Sequence, residues 1–413
     1  MKEYALGLLL LLATPEELPA QGVFETPPIL KAMDLAPAAL LKGRHFTVDE
    51  RVPTADFLAR FTLRSDHGVV EVHGREMLAL RVAEAGALEQ LAGMSKSDEF
   101  RKAAGNAAMR PGKAAGDMAA HPVEAKGAPA AVGRFFDRVE VGSKRAAAAG
   151  SSPGKTSEEK AVDVTRRVGG ITVDVLGYEQ ERRELAKRLG VDPYTTNPVL
   201  ADKLDEVAWV TFSGRLGMNT LTAVVVPLSI VLTTTTATRT LIWDTPPGDL
   251  VKLNEKRFHA TGASEDQVRA LIENRWYSLT VLTTLGTALD GLAGVPGREQ
   301  IVAFAARVQN EDAARLAASA ATMLATYHVA QPLAQAWAPG PLAGRGRDGA
   351  LIVPAPLDHV AWTERVATFA KRPELRAKSR TAWVRGTVTP RVRTEMAAAG
   401  WAVREGTQPS IAR

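Results

Sequence analysis

Two histidine–carboxylate groupings, one phosphate-loop look-alike and one basic run are the places in this chain where residue types and spacing could do chemistry. His67, Glu71 and His73 stand at even separations, and residues two apart in a strand share a face. Two imidazoles and a carboxylate are donor types that zinc and other borderline divalent ions take. The same alternation marks any half-buried strand with a solvated face, and His67 falls at a turn. Asp358 and His359, with Trp362 and Glu364 close by, form the second grouping. Adjacent residues of an extended chain point apart, so Asp358 cannot orient His359 as in a hydrolase triad. No G-x-S-x-G elbow supplies a serine either. Asp358 is expected instead to cap the helix that runs through Trp362. His121, His259 and His328 are isolated.

Ala149 to Thr156 (AGSSPGKT) fits a permissive phosphate-loop pattern. That chemistry needs a buried strand to deliver the loop and a helix N-terminus to face the phosphates. Lys144-Arg145 and an alanine run precede it instead, so it reads as linker. No nucleotide and no other cofactor is expected. Between Lys371 and Arg393 stand Lys371, Arg372, Arg376, Lys378, Arg380, Arg385, Arg391 and Arg393, against Glu374 alone. Such a run can hold phosphates or sulfates, although a solvated face has the same composition. It lacks the interleaved aromatics of single-strand readers. Nucleic acid is therefore not an expected partner, whereas an anionic envelope surface or a protein is.

The elements that must position these residues are legible in part. After an extended, proline-rich stretch from Gln21 to Pro53, Phe61–Ser65 and Val69–Val72 read as two strands around Asp66-His67-Gly68. Glu76–Leu91 reads as an amphipathic helix. Ala146–Ser157 is a linker by composition. Tyr178–Leu189 is a helix closed by Gly190, and Asn197-Pro198, Ser264 and Thr389-Pro390 are helix starts. One or two helices fill Gly297–Tyr327, and Ala338–Gly349 reads as a loop. Ala350–Val353, Thr381–Arg385 and Trp401–Val403 are strands, with a helix between the last two.

The fold class expected is α+β, predominantly helical. A small α/β module at 21–145 is followed by a linker at 146–165, a helical domain at 166–337 and a basic β-α-β unit at 338–413. All seven tryptophans lie from Trp209 onward, so the two halves differ in core composition. Leu216–Thr238 carries no charge over a membrane-spanning length. Its threonines, Asn219 and Pro227 favour a buried hairpin over insertion.

The first twenty residues set the compartment. Lys2 precedes the apolar run Tyr4–Ala13, and Leu18-Pro19-Ala20 offers a cleavage point, the layout of a secretory signal peptide. Export is expected, with cleavage near Ala20, to the periplasm or beyond. The chain has no cysteine, hence no disulfide, thiolate metal site or lipoprotein anchor. Its 46% hydrophobic and 23% charged residues are those of a globular chain large enough to fold on its core alone.

Four stretches, LGYEQERRELAKRLGVDPYTTNPVL (176–200), ALDGLAGVPGRE (288–299), LDHVAWT (357–363) and WVRGTVTPRVRTEMAAAGWAV (383–403), resemble a family of uncharacterised exported bacterial proteins. The resemblance implies export and a helical domain with a mixed tail, and no activity. The functional expectation is thus an exported, non-catalytic binding or structural component. The alternatives are a metal-dependent envelope hydrolase using His67, Glu71 and His73, and a membrane-inserting protein using 216–238.

Overall fold

The computed structural model describes residues 23–55, 57–98, 100–101, 165–168, 171–212 and 235–406. In the first of its three units, short strands precede a long helix. β1 (Ile29–Lys31) pairs with β3 (Arg51–Pro53), and a short α1 (Ala32–Leu35) and β2 (Phe46–Val48) lie between them. β2, β4 (Arg60–Ser65) and β5 (Gly68–His73) form an antiparallel sheet. The β4–β5 turn falls at the expected Asp66-His67, with Gly68 at φ 120°, where a side chain would be strained. Phe61, Leu63 and Val72 turn inward onto α2 (Arg75–Lys96).

α2 departs from the amphipathic helix that its sequence suggests. Its first half, through Met77, Leu78 and Val82, packs on the sheet. Its second half, through Ala87, Leu88, Leu91 and Met94, packs on the helical region instead. A helix apolar on more than one side is a buried helix. Each fully buried leucine of this kind contributes about 1.5–3 kcal/mol.

The second unit begins with the hairpin of β6 (Thr165–Val168) and β7 (Ile171–Asp174). α3 (Val175–Leu189) and α4 (Pro198–Phe212) follow, joined by a loop that starts at Gly190, φ 68°. As expected, Asn197 caps α4, its side-chain oxygen accepting from the Val199 N–H at 3.1 Å. Then come α5 (Thr236–Asp244), α6 (Pro247–His259), α7 (Glu265–Ile272), α8 (Leu279–Asp290), α9 (Arg298–Ala305) and α10 (Glu311–Ala330). Ser264 makes a complete capping box with Gln267 at the start of α7. α8 and α10 are the centre of the largest apolar cluster.

The third unit is more sheet than expected. β8 (Leu333–Trp337), β9 (Ala343–Gly346) and β10 (Leu351–Ala355) run antiparallel in sequence. β10, β12 (Arg380–Val384) and β14 (Ala402–Glu405) run parallel, giving the order β14-β12-β10-β9-β8. The expected strand–helix–strand is β12, α12 (Pro390–Ala398) and β14, with Thr389 as the cap. α11 (Glu364–Ala370) crosses between β10 and β12, and β11 (His359–Val360) pairs with β13 (Thr387–Val388). The central strands are buried on both faces, as parallel strands are. Ile352 and Trp383 face the helical cluster, whereas Leu351, Val353, Ala382 and Val384 face α11 and α12. The sheet starts at Leu333, and β9 occupies part of the expected loop.

The chain is mixed α+β, about half helical. The expected signal peptide, the Ala149–Thr156 match and residues 216–234 lie outside the described residues. Among the described residues, no helix is long and apolar enough to cross a membrane.

Candidate functional site

Gly74 precedes α2 at φ 89° and brings no capping side chain. Asp358 caps the helix from the third unit. Its Oδ2 accepts from the backbone N–H of Ala59 at 3.0 Å and of Arg75 at 3.2 Å. Its Oδ1 accepts from Arg75 Nε at 3.1 Å. The carboxylate also faces the positive end of the α2 dipole. Burial pushes the Asp358 carboxyl up, and the Arg75 guanidinium opposes that. Gly386 permits the close approach here, because a Cβ on it would lie 1.9 Å from the Asp358 carbonyl oxygen.

The next residue of α2, Glu76, meets the other two units. Its Oε2 accepts from Ser319 Oγ on α10 and from Arg385 Nη1, each at 3.1 Å. Glu76 also lines a cavity of about 70 Å³ where α2, the loop after α3, α5, α8 and α10 converge. At roughly 15–30 Å³ per water, that space holds about two to five waters, or a solute of a few heavy atoms. Leu80, Val191, Ile242 and Trp243 make an apolar wall. The Trp243 indole is fixed by donating to the Val191 carbonyl at 3.0 Å.

The polar side of the cavity holds Glu76, Asp192, Arg239 and Arg315. Burial pushes the Asp192 carboxyl up, although the Thr280 hydroxyl (2.6 Å) and the Tyr194 N–H (2.8 Å) both donate to it. Arg315 is held by Glu311, donating from Nε at 3.0 Å and Nη2 at 2.8 Å. Burial pushes the Glu311 carboxyl up, but the Arg315 and Arg81 guanidiniums outweigh it and hold the group below its ordinary range. Arg239 differs from these: its Nε is buried with no hydrogen-bond partner among the described residues.

Beside the cavity, α2 buries a second carboxylate, Glu84. It accepts from Arg81 Nη1 at 2.6 Å, from Asn197 Nδ2 at 3.0 Å and from the Thr195 hydroxyl. Thr196 joins this group to Glu311 at 2.9 Å. Buried charges persist when their lone pairs find donors, and Arg81 and the 195–197 loop supply them.

The structure brings Glu71 and His73 together and separates His67 from them. His67 and His73 stand at opposite ends of β5, about 20 Å apart at ordinary strand rise. His73 sits between two carboxylates, Asp312 Oδ2 on Nδ1 at 2.7 Å and Glu71 Oε1 on Nε2 at 2.9 Å. The Asp312 contact, opposed by burial and then helped by Glu71, raises its pKa to about 9. Both ring nitrogens then donate, as only an imidazolium can, and no lone pair is left for a metal. His67 turns to Glu89, 3.0 Å away.

Asp358 and His359 point apart, as adjacent extended residues do. Asp358 caps α2 and not α11, whose N-cap is Thr363. His359 is buried, with Nδ1 2.8 Å from Thr387 Oγ1, and burial lowers its pKa. Most of the expected basic face has internal work. Arg385 pairs with Glu76 and Arg393 with Glu405. Arg391 donates to the Val23 carbonyl at 2.9 Å, and Arg372 to that of Pro339 at 3.3 Å. Arg380 donates to the carbonyls of Ala370 and Ala399 and lies over the Trp401 ring. Lys371, Arg376 and Lys378 are exposed.

None of the cavity groups stands out in the sequence: Asp192 lies between the helix closed by Gly190 and the start at Asn197, and Ser319 lies within a helical stretch. Compared with family models, curated proteins and solved structures, the chain matches none.

Proposed function

We propose that the chain is an exported, non-catalytic binding protein whose cavity takes a small solute with a carboxylate and a short apolar body. The observation that carries this reading is Arg239. A buried donor without an acceptor costs about 1–3 kcal/mol, and a ligand carboxylate would remove that cost through a charge-assisted bond. The wall of Leu80, Ile242 and Trp243 suits the apolar part of such a solute, and Glu76 and Asp192 suit an ammonium on it. The lining favours recognition over covalent chemistry, because the Ser319 hydroxyl donates to a carboxylate and no imidazole faces it among the lining residues.

Titration calorimetry with short carboxylic and amino acids tests this. One class should bind saturably and raise the melting temperature, and Arg239→Gln should abolish both effects while leaving the fold intact. Equal binding by that variant, or no binding across the panel, would overturn the reading. Export is tested by sequencing the mature N-terminus, expected near Gln21; retention of Met1 would return a cytosolic reading.

Lys371, Arg376 and Lys378 favour a second reading, contact with an anionic surface. Replacing all three by Glu should abolish retention on anionic vesicles at low salt, and unchanged retention would remove that contact.

A further inference from the structure

We infer that His45, Asp66 and Glu89 form a site for a divalent transition ion of the zinc class, with His67 supporting Glu89 from beside it. The four residues come from three elements that the sequence does not visibly connect. His45 lies in the loop before β2, Asp66 and His67 make the β4–β5 turn, and Glu89 projects from α2. The turn is set by Ser65, whose hydroxyl donates to the Gly68 carbonyl at 3.2 Å and accepts from the His67 N–H at 3.3 Å.

The distances suit a shared ion. His45 Nδ1 is 3.0 Å from Asp66 Oδ2 and 3.7 Å from Glu89 Oε2, and His67 Nε2 is 3.0 Å from Glu89 Oε1. One donor atom each from His45, Asp66 and Glu89 fits within 4.8 Å of the others. A tetrahedral ion with bonds of about 2.0–2.1 Å holds its donors roughly 3.3 Å apart, between the observed separations. The His45 nitrogen faces two carboxylates, and a single N–H on it can satisfy only one. A cation between them satisfies both.

Donor chemistry selects the ion. An imidazole with two carboxylates suits zinc, cobalt or nickel, whereas calcium and magnesium take oxygen shells. The two carboxylates also balance a double positive charge. The His45, His67 and Glu89 side chains are each about three-quarters or less than that covered, with exposures of 32%, 25% and 26%. An ion can therefore load from solvent after folding. Once bound, it would tie the hairpin turn to α2, the helix that both other units seat. This site contrasts with His73, whose two nitrogens are already committed to Asp312 and Glu71.

The test uses the full chain, stripped with a chelator and titrated with cobalt as the spectroscopic probe and then with zinc. One cobalt per chain should give the visible bands of a tetrahedral ion, zinc should displace it, and the melting temperature should rise on zinc addition. Removing even a supporting group around a metal weakens binding about 10–100-fold. His45→Ala and His67→Ala should therefore each weaken binding by at least about tenfold. Glu89→Gln, which keeps the shape of α2, should do the same, and His73→Ala should leave cobalt binding unchanged. Circular dichroism on each variant separates loss of the site from loss of the fold. No visible bands and no zinc effect on melting would overturn the inference, leaving two histidine–carboxylate ion pairs. Unchanged binding in the Glu89→Gln variant would overturn it as well.

Discussion

Asp358 was the residue whose environment and role diverged most from what its neighbours suggest. In sequence it stands beside a histidine and ahead of a helix, yet its partners are Ala59 and Arg75, some 300 and 283 residues away. Loss of the side chain leaves the first turn of α2 uncapped and the Arg75 charge without its partner. Asp358→Ala should therefore cost about 3–5 kcal/mol, in the range for breaking a buried pair. Asp358→Asn keeps an acceptor and should cost less, about 1–3 kcal/mol. Urea denaturation would measure both, and equal losses would mean that charge plays no part. His73 sets a pH dependence. It titrates near the ordinary 6.5 when unfolded and about 9 in the fold, so between those values the folded state holds the extra proton. The stability that this adds is complete below about pH 6.5 and is lost as pH rises through about 9. Melting temperature should fall across that window, and Asp312→Asn should flatten the fall. A variant with the same slope as the parent would reassign the effect.

Local rules wrote the helix ends, and distance hid most of the rest. Asn197-Pro198, Ser264 and Thr389-Pro390 start helices because each puts an acceptor within three residues of a free N–H. Gly190 marks a helix end because its positive φ is a local demand. β9 escaped because its Ala343 and Gly344 carry no apolar alternation. Gly344 is small because Leu333 lies against it, and a Cβ there would meet that side chain at 2.9 Å. The two-sided burial of α2 escaped because its second partner, the α3–α4 pair, lies beyond residues 102–164. The candidate cavity and the metal cluster were hidden for the same reason. Each draws on several elements, and of their residues only His67 stands out in the sequence, where it groups with Glu71 and His73. Gly386→Ala tests whether one such contact matters at the level of elements. The added methyl would collide with the Asp358 backbone, so β11 and β13 must separate, at about 1–3 kcal/mol. Because Asp358 moves with β11, amide exchange in the first turn of α2 should quicken. Faster exchange confined to β11 and β13 would show that the cap is held independently.

At the scale of the whole molecule, the three units are fastened to one another by charged side chains as well as by apolar surface. Glu25, near the start of the described chain, accepts from the Thr389 hydroxyl at 2.7 Å and from the Trp362 N–H, and so ties the first unit to the third. Asp358 and Arg75 make a second tie, and Arg385, Glu76 and Ser319 a third that reaches all three units. α2 contributes to two apolar clusters at once, so neither can come apart without exposing half of it. Unfolding should therefore be a single cooperative transition. The charged ties set how strongly: Glu76 and Arg385 are close enough to couple, and a double-mutant cycle with Glu76→Gln and Arg385→Gln should return an interaction of about 0.5–3 kcal/mol. Adding Asp358→Ala to that pair removes two of the three ties while sparing the apolar contacts of α2. Calorimetry of the triple variant should then resolve two transitions, the lower belonging to the sheet of β2, β4 and β5. A single transition, merely shifted down, would show that the clusters shared by α2 are enough to make the three units melt as one.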